Sequence, residues 1–225
     1  MTPFDLGNQG KKDYDQYFKM LHGFFYELKK EKKINPNFSL VKSETDKRIL
    51  YFDEVRKATD KLDWILRDQN GQRFEKFLDD VKEHEFSQTH FMQIYGSLLI
   101  NNILIFYFNI ENLFLTMLKG TKYGNDKNEQ VDGDEPLGKL LTKIFKIDTY
   151  KKLDEDLIRK IIDIKFRNAL AHGWYRIENH QLTYFEESLE STPKIMDEIE
   201  MLGRLIHLKI FGMALSNIVL SGDWE

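Results

Sequence analysis

The stretch from Ser87 to Lys119, which stops before Gly120, is the most apolar part of this chain and sets what the rest can become. Its centre reads Leu98-Leu-Ile-Asn-Asn-Ile-Leu-Ile-Phe-Tyr-Phe-Asn-Ile-Glu-Asn-Leu-Phe-Leu. A membrane span needs about 20 predominantly apolar residues in a row. Here Asn101, Asn102, Asn109, Glu111 and Asn112 interrupt the run. A central helix of a bundle, covered on nearly every side, accounts for the pattern better. Glycine and proline are scarce, 13 and 4 in 225 residues, which favours long helices over frequent tight turns. The expected class is therefore all-α, a helical bundle with no membrane span.

Other helices are predicted around this one. Residues 1–10 read as an unstructured lead-in. From 13 to about 33 the spacing of Tyr14, Tyr17, Phe18, Leu21, Phe25 and Leu28 predicts an amphipathic helix ending in a basic run, Lys29-Lys30-Glu31-Lys32-Lys33. Such a run suits a solvated helix C-terminus, where cations meet the negative end of the dipole. N-cap candidates at 43–46 precede a second helix with Ile49, Phe52, Leu62 and Leu66, and a shorter one carries Phe74 and Phe77. Residues 120–135 form a polar loop; Val131 stands where a calcium-binding loop requires glycine, which excludes that reading. Leu137, Leu140, Leu141, Ile144 and Phe145 mark the inner face of another short helix. After it, one helix is expected to begin at Asp148 or at Leu153-Asp154 and to run to His172, with Asp154, Glu155 and Asp156 in its first turn. Thr192-Pro193 reads as a cap and first turn of the closing helix. That helix carries two apolar stripes, one with Ile195, Ile199, Leu202, Ile206 and Ile210, the other with Leu205, Leu208, Phe211, Leu215 and Val219. Both are expected to be buried, in the bundle or against a second subunit.

The chemistry-bearing stretch is 161–185. A helical pattern through Phe166, Ala169 and Leu170 runs into His172 and stops at Gly173. Glycine commonly follows a helix end because it takes positive φ without penalty. The period then switches to two: Tyr175 and Ile177 alternate with Arg176 and Glu178, and Leu182 and Tyr184 repeat it after a polar turn. A short β-hairpin is predicted between this helix and the closing one.

Arg167, Asn168 and His172 cluster in the last turn of the predicted helix. Asn168 and His172 are four residues apart and lie one above the other; Arg167 is one step around. A guanidinium offers a planar, permanently charged fork for phosphate oxygens. An imidazole is the side chain best poised to move a proton near neutrality. The trio suits attack at phosphorus. Each residue also has a scaffold explanation: an Arg167–Asp163 ion pair, a packing amide at Asn168, and a C-terminal cap at His172.

Arg167-Asn168-Ala-Leu-Ala-His172 resembles the Arg-(four to six residues)-His motif of HEPN domains, including the polar residue directly after the arginine. The resemblance covers roughly Ser87 to the C-terminus. It implies an all-α, HEPN-like up-and-down helical bundle over 87–225, with the short β-hairpin between the motif helix and the C-terminal helix, and with 1–86 an N-terminal helical extension packed on it. It also implies a metal-independent endoribonuclease, a toxin or phage-defence effector, working as a homodimer in which two motif copies face one cleft. Arg167, Asn168 and His172 would then be catalytic, RNA the substrate, and an antitoxin protein a possible partner; no cofactor is expected. The alternative is a non-catalytic member of the same fold that binds RNA or a protein.

Three further residues are candidates beside the motif. Glu111 is a charge in the apolar helix, costly unless paired, and is a candidate support for Arg167. Trp174 and Tyr175 could stack RNA bases or simply pack the hairpin. His84 and His90, with Glu83 and Glu85, lack a metal-ligand spacing, so no metal site is expected. With no cysteine, neither disulfides nor thiolate chemistry are available, which fits a reducing cytoplasm. The first residues lack the basic-then-apolar pattern of a signal peptide. A formal net charge of −4 requires any RNA contact to be local.

Overall fold

The structure is a computed structural model and describes residues 7–34, 88–121, 135–178 and 181–221. The helices expected over 43–66 and 74–81, the loop after 121 and the histidine–glutamate group near 84 lie outside these residues. In chain order the elements are α1 (Gly7–Lys30), α2 (Gln88–Lys119), α3 (Leu137–Ile147), α4 (Glu155–Ile161), α5 (Ile164–Ala171), β1 (Tyr175–Glu178), β2 (Gln181–Tyr184), β3 (Lys194–Asp197) and α6 (Glu198–Ser221). The protein is mostly helical with one small antiparallel sheet, ordered β1-β2-β3.

The chain divides into two compact units, and both α2 and α6 contribute to each. The first comprises Met1–Ile49, Phe106–Ile164 and Ile206–Glu225. Its core joins Tyr17, Leu21, Phe24 and Phe25 of α1 to Ile110 and Phe114 of α2 and Phe211 of α6, all buried. Phe211 is the hub: its ring lies 5.7 Å from Tyr17 and 6.2 Å from Phe114. α1 starts at Gly7, inside the stretch expected to be a lead-in. At its other end, Lys32 takes positive φ (54°) and the Lys33 N–H reaches back to the Leu28 carbonyl, while the Lys32 N–H bonds the Lys29 carbonyl. That geometry usually recruits glycine; here a lysine of the basic run supplies it.

The helix expected to run to His172 is two helices. Asp154 caps α4 by accepting from the Leu157 N–H at 2.9 Å, and Glu155 and Asp156 occupy the first turn as expected. The chain then breaks at Ile162, which leaves helical geometry (φ −100°, ψ 74°). The Tyr107 phenol of α2 donates to the next carbonyl, that of Asp163, at 3.3 Å. Ile162 is buried, so burial of that side chain and a tertiary hydrogen bond accompany the break, with no glycine or proline involved. Phe145, expected to face inward on α3, is half-buried, and the Arg159 guanidinium sits 5.0 Å from its ring centre.

The second unit comprises Leu50–Ile105 and Lys165–Leu205. β1 and β2 form the predicted hairpin, with Tyr175 opposite Tyr184 and Ile177 opposite Leu182. A third strand adds to the expected pair. β3 pairs with β2 over the residues assigned to the first turn of the closing helix, with Leu182 opposite Met196. The N-cap of α6 is Asp197, whose carboxylate accepts from the Glu200 N–H at 2.8 Å, and Thr192-Pro193 lie in the irregular segment before β3. Strand geometry turns Met196 inward and leaves Ile195 63% exposed. Ile199 is 81% exposed and Ile206 also lies open, while Leu202 is half-buried and Ile210 is buried, so the stripe is open only over its first part. The second stripe, Leu205, Leu208, Phe211, Leu215 and Val219, is buried as expected.

Two stretches, Gly96–Lys119 and Ile199–Leu220, are long and apolar enough to cross a membrane by length and composition. The most apolar 18-residue window of the first is 44% buried inside the protein and that of the second 50%.

Candidate functional site

α5 is held in the second unit by Phe166, which is fully buried. The Tyr184 ring meets it edge-on at 4.9 Å, and the Arg204 guanidinium covers it at 4.7 Å from the ring centre. An aromatic pair of this kind contributes about 0.5–1.5 kcal/mol beyond its buried area, and a cation over a ring about 0.5–2 kcal/mol. Ala169 and Leu170 bury the same face. The two residues between Phe166 and Ala169 are Arg167 and Asn168, both half-buried. The Arg167 Nη1 donates to the Asn168 Oδ1 at 3.3 Å, so the amide steadies one edge of the guanidinium.

The helix ends in a Schellman turn. The Gly173 N–H bonds the Leu170 carbonyl at 3.2 Å and the Trp174 N–H bonds the Ala169 carbonyl at 2.8 Å. Gly173 sits at φ +69°, the conformation that a side chain would strain, which is the reason for glycine after the histidine. Backbone groups thus cap the helix. The His172 ring does not: it is exposed, and among the described residues neither ring nitrogen has a hydrogen-bond partner. The ring instead stacks on Trp174, with centres 4.7 Å apart and planes 27° from parallel. The motif therefore separates into two pairs, Arg167 with Asn168 and His172 with Trp174. The imidazole makes no hydrogen bond to Arg167.

Tyr175 is half-buried at the start of β1, opposite Tyr184, as a packing residue of the hairpin would be. Glu111 lies half-buried on α2 in the first unit, next to the buried Ile110. Sequence reasoning names Trp174 as an RNA contact and misses its stack on His172. The signal is present, since residues two apart across a tight αL turn can bring their side chains together, but it becomes visible only once Gly173 is known to turn the chain there. Past the hairpin, Glu186 accepts from Lys194 and is paired with Lys165 of α5 at 3.5 Å, tying the connection to β3. The Lys194 hydrogen bond, more than Lys165, holds its carboxyl below the usual range. Among the described residues no three His, Asp or Glu side chains gather as a metal site. No family model, curated protein or solved structure matches this chain.

Proposed function

We propose that this protein is a metal-independent endoribonuclease of HEPN type, a homodimer acting on RNA in the cytoplasm. In this reading His172 takes the proton of a ribose 2′-hydroxyl, and the oxygen attacks the adjacent phosphorus. The 5′-oxygen leaves with a proton, producing a 2′,3′-cyclic phosphate and a 5′-hydroxyl. Arg167 stabilises the extra negative charge on the phosphorane, and Asn168 holds one edge of the guanidinium in place. The observation that carries the reading is the state of His172: an exposed imidazole with both nitrogens uncommitted among the described residues, five residues from a half-buried guanidinium steadied by its neighbour. A scaffold histidine capping its helix would have spent a nitrogen on a carbonyl.

One imidazole cannot readily be base and acid in a single step, so a second copy of His172 supplies the proton for the leaving oxygen. The exposed Leu189, Ile195 and Ile199, in the same unit as the motif, support a second copy as the partner. An effector of this kind, toxin or phage-defence nuclease, would be held in check by an antitoxin protein.

The test is labelled RNA incubated with purified protein in EDTA. Cleavage leaving cyclic phosphate is expected, with His172→Ala losing about 10²–10⁴-fold and Arg167→Ala about 10²–10³-fold in rate. RNA bound but uncut by the wild type would favour the binding module; neither binding nor cleavage would reject both.

A further inference from the structure

We infer that Trp174 is the positioning residue for the His172 imidazole, a role that rests on the nuclease reading above. A catalytic base must be oriented to be efficient, and the usual device is a hydrogen bond from one ring nitrogen to a carboxylate or carbonyl. That device fixes the tautomer and occupies the nitrogen. Here the ring is held by its face. The indole lies against the imidazole at 4.7 Å and 27°, which restricts the plane of the ring and leaves both in-plane nitrogens open. With neither nitrogen tied, either can take the proton of the ribose 2′-hydroxyl.

Trp174 is suited to this because its own backbone is fixed on both sides. Its N–H is bound by the Ala169 carbonyl in the helix-ending turn, and its carbonyl accepts from the Phe185 N–H at 3.0 Å, one step beyond the hairpin ladder. The indole is half-buried, whereas the imidazole it supports is exposed. The rigid member of the pair is therefore the tryptophan, and the histidine is the one being held. An RNA base seeking the same indole face would have to displace the imidazole. This argues against Trp174 as a base platform on that face.

Steady-state cleavage by Trp174→Phe and Trp174→Leu tests the role. Phenylalanine keeps an aromatic face; leucine keeps apolar bulk for the hairpin without one. The Leu variant is expected to lose about 10–100-fold in kcat with KM within about threefold, since about 1 Å of misplacement at a reacting group costs about 10²-fold. The Phe variant is expected to retain kcat within about threefold. The His172 ring proton resonances, assigned by His172→Gln, are expected upfield in the wild type and the Phe variant and released in the Leu variant. A Leu variant with unchanged kcat, or one that raises KM alone, overturns the positioning role and returns Trp174 to packing or base contact. His172 resonances that do not move between wild type and Leu variant overturn the stack itself, whatever the cleavage data. A wild type that leaves RNA intact overturns the nuclease reading and this role with it.

Discussion

The hairpin that carries Trp174 depends on one small residue in α2. A methyl group added at Gly96 would lie 2.8 Å from the Ile177 Cδ1 and 3.1 Å from its Cγ2. Carbon atoms in good contact sit about 3.5–4.0 Å apart, so Gly96→Ala demands a shift of about half an ångström or more. Overpacking of this kind costs about 1–3 kcal/mol. Alanine is also the better helix former by about 1 kcal/mol. The net expectation for Gly96→Ala is a loss of about 0–2 kcal/mol, a small number that hides two larger ones. Ile177→Val separates them. Alone it removes the Cδ1 methyl of a half-buried residue and costs about 0.5–1.5 kcal/mol. In the Ile177→Val background the worst overlap is gone, so Gly96→Ala becomes neutral or stabilising by up to about 1 kcal/mol. Urea unfolding of the four proteins, with slopes compared to check that only stability changes, reads the cycle. A favourable coupling of about 1 kcal/mol or more is expected. Effects that add within about 0.3–0.5 kcal/mol would mean that α2 and β1 do not press on each other at this point. Because β1 begins one residue after Trp174, Gly96→Ala alone is also expected to slow RNA cleavage beyond what its stability loss accounts for.

Two further outcomes are expected. Burial, and secondarily the Asp13 carboxylate, pushes the Tyr17 phenol up to about 12 from 10.0. The unfolded chain releases this proton near pH 10 and the folded protein near pH 12, so stability from this group is intact below pH 10 and is lost as pH rises towards 12. Urea midpoints from about pH 9 to 12 should fall more steeply for the wild type than for Tyr17→Phe; parallel curves would contradict the shift. Ile199→Glu places a charge on the most exposed large apolar side chain among the described residues, so it should change protomer stability by no more than about 0.5 kcal/mol and, if the proposed dimer uses this face, abolish it in sedimentation. A variant that still dimerises as the wild type does would move the interface elsewhere.

The features legible in the residues alone are those that depend on near neighbours. The 3.6-residue spacing on α1 and α3 sorts buried from exposed positions because the backbone period is the same wherever a helix sits. Gly173 announces its turn because positive φ penalises every residue with a Cβ. Asp154 announces α4 because a short side-chain oxygen before a helix meets an unbonded N–H. The alternation of Tyr175, Ile177, Leu182 and Tyr184 announces a hairpin for the same local reason. The position of the motif at a helix end followed from these signs.

The remainder was decided by partners distant in sequence. The break between α4 and α5 involves Tyr107, more than fifty residues away, donating to the Asp163 carbonyl. Residues 194–197 have an apolar spacing compatible with a helical stripe, yet they are a strand because β2 presents an edge to pair with and Asp197 is placed to cap α6. Ile195 and Ile199 carry the composition of core residues and lie open, since periodicity shows which residues share a face and not whether anything covers it. The union of Arg167 with Asn168 and of His172 with Trp174 was settled by where the Schellman turn and the hairpin aim their side chains. A local code can place chemical groups along a chain, but their directions in space come from packing, and direction decides whether an imidazole caps its helix or stands clear of it.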